Sequence, residues 1–223
     1  MIESAVAIRV RGLSFSYGGS KCVLSDFDYD FLEGGKYLIT GGNGEGKTTL
    51  LKCIIGSLKP QRGNIETCGI SKSGLAYCGQ EKAKKSFPVS VREVLSICMR
   101  DAGKRRARNE GENHGDFGRL KCFESLLVWV EPFLGRNFYD LSGGEKQKVS
   151  LLRCLMQRPE AMLLDEPTSF LDSESQRVIF SALEELTMMP VTILATSHDG
   201  ELLDRLTGIG WISVRLGGGK IVF

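Results

Sequence analysis

The stretch GGNGEGKTT, residues 41–49, constrains the fold of this chain more than any other segment. Gly41, Gly46, Lys47 and Thr48 fit the pattern G-x-x-x-x-G-K-[ST]. The short apolar run YLIT (37–40) precedes the loop, and the apolar positions 50, 51, 54, 55 and 58 after it fall on one helical stripe. The pattern therefore predicts a strand, a glycine loop and a helix in succession, which is the setting of a phosphate-binding loop.

The residue types of this loop suit the binding of nucleotide phosphates. Glycines let the backbone pass close to the phosphates with its N–H groups pointing inward, and the helix N-terminus adds partial positive charge. Lys47 is expected to reach the β- and γ-phosphates, and the Thr48 hydroxyl is expected to ligate Mg²⁺. The residues predicted to bind ATP here are Gly41, Gly42, Asn43, Gly44, Glu45, Gly46, Lys47, Thr48 and Thr49.

A second chemical segment, AMLLDEP, spans residues 161–167. Its apolar run predicts a buried strand that delivers Asp165 to its C-terminal end, where ligands of open α/β sheets bind. Asp165 is expected to hold the Mg²⁺. Glu166 follows and could act as the general base that polarises an attacking water. The alternative, two acids that cap the next helix, fits poorly because Pro167 follows at once.

The order of apolar patterns along the chain predicts the fold class. Residues 5–40 have strand character, whereas 81–136 are charged and helical in period. After residue 148 short apolar strands at 161–164 and 191–195 alternate with amphipathic helices. Such alternation, with strands that are apolar throughout, indicates an α/β protein whose mostly parallel sheet is covered on both faces.

Charge, cysteine content and hydropathy exclude several classes of function. The formal net charge of +2 gives no strong attraction to nucleic acid, so no nucleic-acid partner is expected. Seven cysteines without a CxxC pair favour reduced thiols over a zinc site or a disulfide framework. No apolar run approaches the length of a membrane span, so any function at a membrane is expected to require a partner protein.

A second glycine loop, LSGGE at residues 141–145, lies more than ninety residues after the first. With this loop downstream of the phosphate loop, nearly the whole chain resembles the ATP-binding cassette (ABC) family. In that family the segment is the signature motif, and it binds the γ-phosphate held by the other subunit of a head-to-tail dimer. The resemblance therefore implies a homodimer in which Ser142, Gly143 and Gly144 of one copy complete the ATP site of the other.

Further positions match the family one at a time. Tyr17 in FSYGG is similar to the aromatic that stacks on adenine, and Gln80 looks like the glutamine that senses Mg²⁺ and water. Residues 169–172, SFLD, resemble the loop that touches the partner, and His198 in TSHD resembles the switch histidine near the γ-phosphate. Catalysis would then involve Glu166, His198 and Gln80. The alternatives are a plain strand residue for Tyr17, a surface loop for Gln80 and an ordinary histidine for His198.

The resemblance also implies an architecture. It is a single nucleotide-binding domain over residues 1–223, with a P-loop NTPase core, an N-terminal antiparallel β subdomain and an α-helical subdomain inserted at about 81–157. Two departures from the common family loop stand in GGNGEGKTT: Gly42 and Glu45 are unusual, and Glu45 places an anion near a phosphate site. Because every chemical position is kept, an active ATPase is expected.

A lone cassette of this kind resembles the ATP-hydrolysing subunit of a transporter. It would lie in the cytoplasm on the inner face of the membrane, with transmembrane permease subunits and, for an importer, a solute-binding protein. The short connection between Gly63 and Gln80, together with FPVSVREVL, looks most like subunits of zinc, manganese or iron-chelate importers. A non-transport ABC ATPase and a regulatory nucleotide-binding module are the alternatives. Cargo and direction are not encoded in these motifs.

Overall fold

The computed structural model describes residues 5–18, 22–79, 88–97, 120–169 and 171–222. The strands are β1 (Val6–Ser16), β2 (Cys22–Leu32), β3 (Lys36–Thr40), β4 (Arg62–Thr67), β5 (Leu75–Cys78), β6 (Ala161–Asp165), β7 (Thr192–Thr196), β8 (Ile212–Gly217) and β9 (Lys220–Val222). The helices are α1 (Lys47–Ile54), α2 (helical over 91–97), α3 (Lys121–Val130), α4 (Gly143–Met156), α5 (Ser173–Thr187) and α6 (Gly200–Gly208).

These strands form two sheets. The larger sheet has the order β5–β6–β7–β3–β8–β9, in which all neighbours are parallel except β8 and β9. The smaller sheet, β2–β1–β4, is antiparallel. The α/β class with a mostly parallel sheet and an N-terminal antiparallel β subdomain is thus confirmed, and β4 joins that subdomain from beyond the glycine loop.

Successive residues of the central strands enter two different cores, because side chains alternate between the faces of a sheet. In β3, Leu38 packs on one face, whereas Tyr37 and Ile39 pack on the other. In β6, Leu164 packs in the same core as Leu38, and Leu163 packs in the other core. Helices α2 to α6 supply the first core, and α1 with the antiparallel sheet supplies the second. The prediction of apolar strands covered on both faces is therefore confirmed.

Local signals set the ends of the helices that flank the candidate site. Helix α1 begins directly after Gly46 and ends at Ile54, shortly before Gly56, as the glycine signal predicts. Helix α4 begins after Ser142, whose hydroxyl accepts a hydrogen bond from the Glu145 N–H. The predicted inserted subdomain, 81–157, contains α2, α3 and α4, but residues 81–87 and 98–119 lie outside the described residues. Its bounds stay a prediction.

Candidate active site

The glycine loop leaves the C-terminal end of β3 at a point where neighbouring backbone is very close. A Cβ on Gly41, whose φ is +145°, would lie 2.5 Å from the carbonyl oxygen of Leu216. A Cβ on Gly46, with φ +98°, would lie 2.9 Å from the carbonyl oxygen of Val23. Glycine is required at both positions, since any larger residue would be strained and would displace backbone. The loop is thereby clamped between β8 and β2.

Lys47 opens α1 and is directed back over the loop. Its Nζ donates to the carbonyl oxygens of Gly41 at 2.8 Å and Gly42 at 3.0 Å, and only 6% of the residue is exposed. The ammonium group and the helix N-terminus thus face the same space. This space is a cavity of about 890 Å³, large enough for a nucleotide. It is lined by Tyr17, Val23, Asn43, Gly44, Glu45, Gly46, Lys47, Thr48, Thr49, Lys52, Asp165 and Glu166.

Asp165 lies at the C-terminal end of β6 and is held by three hydroxyl groups. Thr48 Oγ1 donates to Asp165 Oδ1 at 2.8 Å, and Thr196 Oγ1 donates to the same oxygen at 2.9 Å. The Tyr77 hydroxyl donates to Asp165 Oδ2 at 3.1 Å. The carboxylate and the Thr48 hydroxyl are hard oxygen donors beside a phosphate loop, which is the donor set that Mg²⁺ prefers. The two residues fit the predicted metal role.

Glu166 adopts a left-handed backbone conformation, with φ +48°, which is uncommon for a residue with a side chain. Its N–H donates to Thr196 Oγ1 at 2.9 Å, which ties the residue to the end of β7. The Ser169 hydroxyl donates to Glu166 Oε2 at 2.7 Å, and His198 Nδ1 lies 3.1 Å from Glu166 Oε1. Both carboxylate oxygens therefore have partners, so the group has a fixed direction at the edge of the cavity.

Tyr17 follows β1 at the rim of the cavity. Its ring meets the edge of Phe15 with centroids 4.9 Å apart, and its hydroxyl lies 3.3 Å from Thr49 Oγ1. Nearly half of Tyr17, 48%, is exposed. A ring that is supported on one side and open on the other suits stacking with a base, so the structure is compatible with the adenine role, which stays a prediction.

The second glycine loop forms a capped helix N-terminus. The Ser142 N–H donates to Glu145 Oε2 at 2.7 Å, and Glu145 N–H donates back to Ser142 Oγ, so the two residues make a capping box. The hydrogen bond from the Ser142 N–H lowers the pKa of the Glu145 carboxyl, with further help from Arg136. A Cβ at Gly143 would meet open space. In the described part of the chain, residues 142–144 do not line the cavity.

The structure thus gathers most of the predicted residues it describes and leaves residues 142–144 apart from them. Lys47, Thr48, Asp165 and Glu166 share one cavity, and His198 bonds to Glu166. Residues 142–144 lie elsewhere on the chain, and Gln80 lies outside the described residues. Sequence reasoning missed Tyr77 and Thr196, which orient the two acids. The only available signal was their position at the ends of apolar runs, LAYC and TILAT.

This geometry defines a P-loop nucleotide-binding protein: a glycine loop with its lysine after β3, and an Asp–Glu pair at the C-terminal end of β6, which β7 separates from β3. A family model described as ABC transporter matches residues 24–169, and the chain belongs to that family. It is accordingly an ATPase cassette, as the signature motif implied. Within the described ranges, no helix combines the length and apolar character that crossing a bilayer requires.

Individual relatives carry both import and export names. The zinc uptake system ATP-binding protein ZurA of Listeria monocytogenes is 31% identical over 202 residues, which cover 86% of this chain and 76% of that protein. The Nod factor export ATP-binding protein I of Rhizobium johnstonii is 31% identical over 218 residues, covering 91% of this chain and 65% of that protein. A bacterial ABC transporter cassette solved as a dimer has the same fold, with a TM-score of 0.72, 22% identity and 97% coverage of both chains.

Proposed function

We propose that this ABC ATPase binds ATP and Mg²⁺ in the 890 Å³ cavity and drives transport through partner membrane subunits. The observation that carries the proposal is the contact between the two motifs. Thr48 of the glycine loop donates to Asp165 at 2.8 Å, and Glu166 follows on the same strand end. The loop that would hold phosphates and the acids that would serve the metal and the water are therefore already assembled.

In this proposal each side chain has a defined task. Lys47 and the N–H groups of the loop bind the β- and γ-phosphates, while Thr48 and Asp165 hold Mg²⁺, whose charge offsets that of the phosphates. Glu166 accepts the proton of the attacking water, and Ser169 and His198 keep its carboxylate directed at the cavity. Tyr17 stacks on the base, and Gln80 is assigned its role by family resemblance.

The second glycine loop is proposed to act on the ATP of another copy. Helix α4 is 14 residues long, and the residues at its N-terminus, Ser142, Gly143 and Gly144, do not line the cavity of their own chain in its described part. Such an end attracts anions. A head-to-tail homodimer would bring this end to the γ-phosphate in the partner's cavity. The similar cassette that was solved as a dimer supports a dimeric assembly.

The membrane partners are proposed to dock on the helices of the inserted segment. Ile97 of α2 and Leu127 and Val128 of α3 are large apolar side chains that are 57%, 42% and 67% exposed. A soluble surface has little reason to present them. The protein would then lie on the inner face of the membrane.

The proposed cargo is zinc, another metal or a metal chelate, and the proposed direction is import with the help of a solute-binding protein. The similarity to the zinc uptake protein ZurA supports this direction, whereas the similarity to the Nod factor export protein opposes it.

The dimer is tested with Glu166→Gln, which keeps the size of the side chain but removes the proposed base. Loss of a general base lowers hydrolysis by roughly 10²–10⁴-fold. We expect this variant to bind ATP and Mg²⁺, to turn over slowly, and to elute as a dimer with ATP and as a monomer without it. The double variant with Ser142→Arg should bind ATP and remain monomeric. A dimer of the double variant would contradict the head-to-tail arrangement.

A further inference from the structure

Glu45 is the one acidic residue of the glycine loop GGNGEGKTT. It lines the cavity in which phosphates are proposed to bind, and its side chain is half-buried. A carboxylate there repels phosphate through space, with an energy that grows as water is excluded. A carboxylate that repels the ligand is explained either by a hydrogen-bond partner for its charge or by a function of its own.

The structure gives Glu45 such a partner from the far end of the chain. Its Oε2 accepts a short hydrogen bond from the N–H of Gly218, which lies in the turn between β8 and β9. The side chain passes beside Gly42, since a Cβ built on that glycine would lie 3.5 Å from Glu45 Cγ. The carboxylate therefore crosses the loop and joins it to a turn 173 residues away in sequence.

The β8–β9 turn is itself anchored firmly enough to support the loop. Ser25 N–H donates to the carbonyl oxygen of Gly219 at 2.9 Å, and a Cβ on Gly219 would lie 2.6 Å from the carbonyl oxygen of Val23. At the other side of the turn, the carbonyl oxygen of Leu216 lies against Gly41. The turn thus contacts the beginning of the glycine loop through packing and its middle through Glu45.

We propose that Glu45 is a positioning residue that tethers the phosphate loop to the β8–β9 turn and so preorganises it for nucleotide. The inference rests on the nucleotide placement proposed above. Gly42 and Gly44 give this loop much conformational freedom, which binding would otherwise have to remove. A hydrogen bond from a scaffold N–H restricts the loop before the ligand arrives, and it directs the carboxylate charge toward that N–H.

Two neutral variants separate the tether from the charge. Glu45→Gln keeps an oxygen acceptor of the same reach, whereas Glu45→Met has similar length and cannot accept well. A neutral hydrogen bond contributes about 0.5–1.5 kcal/mol, or about two- to tenfold in a binding constant. We therefore expect Glu45→Met to bind fluorescent ATP about two- to tenfold more weakly than Glu45→Gln. Glu45→Asp, which keeps the charge but is one methylene shorter, should also bind more weakly than Glu45→Gln.

Hydrogen exchange of the Gly218 amide provides a readout that needs no nucleotide. Exchange should be slow in wild type and Glu45→Gln, and faster by a similar two- to tenfold factor in Glu45→Met. The same Gln and Met substitutions at Glu33, an exposed residue outside the cavity, are the control and should differ in neither measurement. The half-saturating ATP concentration for hydrolysis should rise in Glu45→Met relative to Glu45→Gln.

The outcomes separate failure of this inference from failure of the proposed function. If wild type binds ATP but the Gln and Met variants bind equally, the tether is refuted and the nucleotide site stands. If both variants bind ATP more tightly than wild type by the same factor, Glu45 acts only as a repelling charge, and the inference is wrong. If wild type binds no ATP, the nucleotide placement fails and the inference fails with it.

Discussion

Thr196→Val tests the arrangement of the two acids, because one hydroxyl serves both of them. Thr196 Oγ1 donates to Asp165 Oδ1 at 2.9 Å and accepts from the Glu166 N–H at 2.9 Å, and the residue is fully buried. Asp165 and Thr196 are register partners in the parallel pair β6 and β7, so the pairing of the strands itself places the Thr196 hydroxyl beside both acids. Valine has nearly the same shape, and the substitution therefore removes the two bonds while filling the same space.

The expected loss in the free energy of unfolding comes from the two groups that lose a hydrogen-bond partner, the Asp165 carboxylate and the Glu166 N–H. A hydrogen bond to a charged group contributes about 1.5–3 kcal/mol, and a buried N–H without a partner costs about 1–3 kcal/mol. Because Asp165 keeps the Thr48 donor, the terms do not simply add, and we expect a loss of about 2–4 kcal/mol. For a chain of this size each kcal/mol lowers Tm by about 2–4 °C, which gives a fall of roughly 4–16 °C.

The assay compares thermal unfolding of Thr196→Val with that of Thr207→Val. Thr207 is exposed, and among the described residues its hydroxyl bonds only to carbonyls of its own helix, so that substitution should change stability by less than about 0.5 kcal/mol. Hydrolysis by Thr196→Val should also fall by about 10–100-fold, as is usual when a group that orients a metal ligand is lost. Equal Tm values for the two variants would refute the bridging role.

Three further outcomes follow from the same structure. Lys47→Ala should abolish micromolar binding of labelled ATP without unfolding the protein, whereas exposed Lys59→Ala should bind normally. Gly41→Ala should lower the free energy of unfolding by about 2 kcal/mol or more in denaturant titration, since its Cβ meets a carbonyl oxygen, and Gly44→Ala, whose Cβ meets open space, should cost less. Burial lowers the pKa of Lys36 from 10.5 to about 8, so the unfolded chain binds that proton more tightly. Relative to Lys36→Met, the free energy of unfolding should therefore rise from pH 8 to 10.5, by less than the roughly 3 kcal/mol of the pKa difference, because Lys36 Nζ donates to three carbonyl oxygens that favour its charged form. A flat difference would contradict this.

The sequence alone determined the segments in which the chemistry is local. The strand before the glycine loop, helix α1 and the strand that ends at Asp165 were all predicted, because glycine pattern and hydrophobic period act within a few residues. Helix α4 begins at a signal that is equally local, since the capping box of Ser142 and Glu145 needs only four consecutive residues. These segments contain Lys47, Thr48, Asp165 and Glu166, and therefore most of the candidate site.

Only the tertiary structure decided which distant groups meet these segments. Strand β4 has the polar sequence RGNIET and few buried side chains, so no hydrophobic period predicted it or its pairing with β1. Tyr77 and Thr196 reach Asp165 because β5 and β7 flank β6, and this strand order is not written in any local pattern. Glu45 meets Gly218 for the same reason: β8 lies beside β3, and the position of a hydrogen-bond donor 173 residues away depends on that pairing.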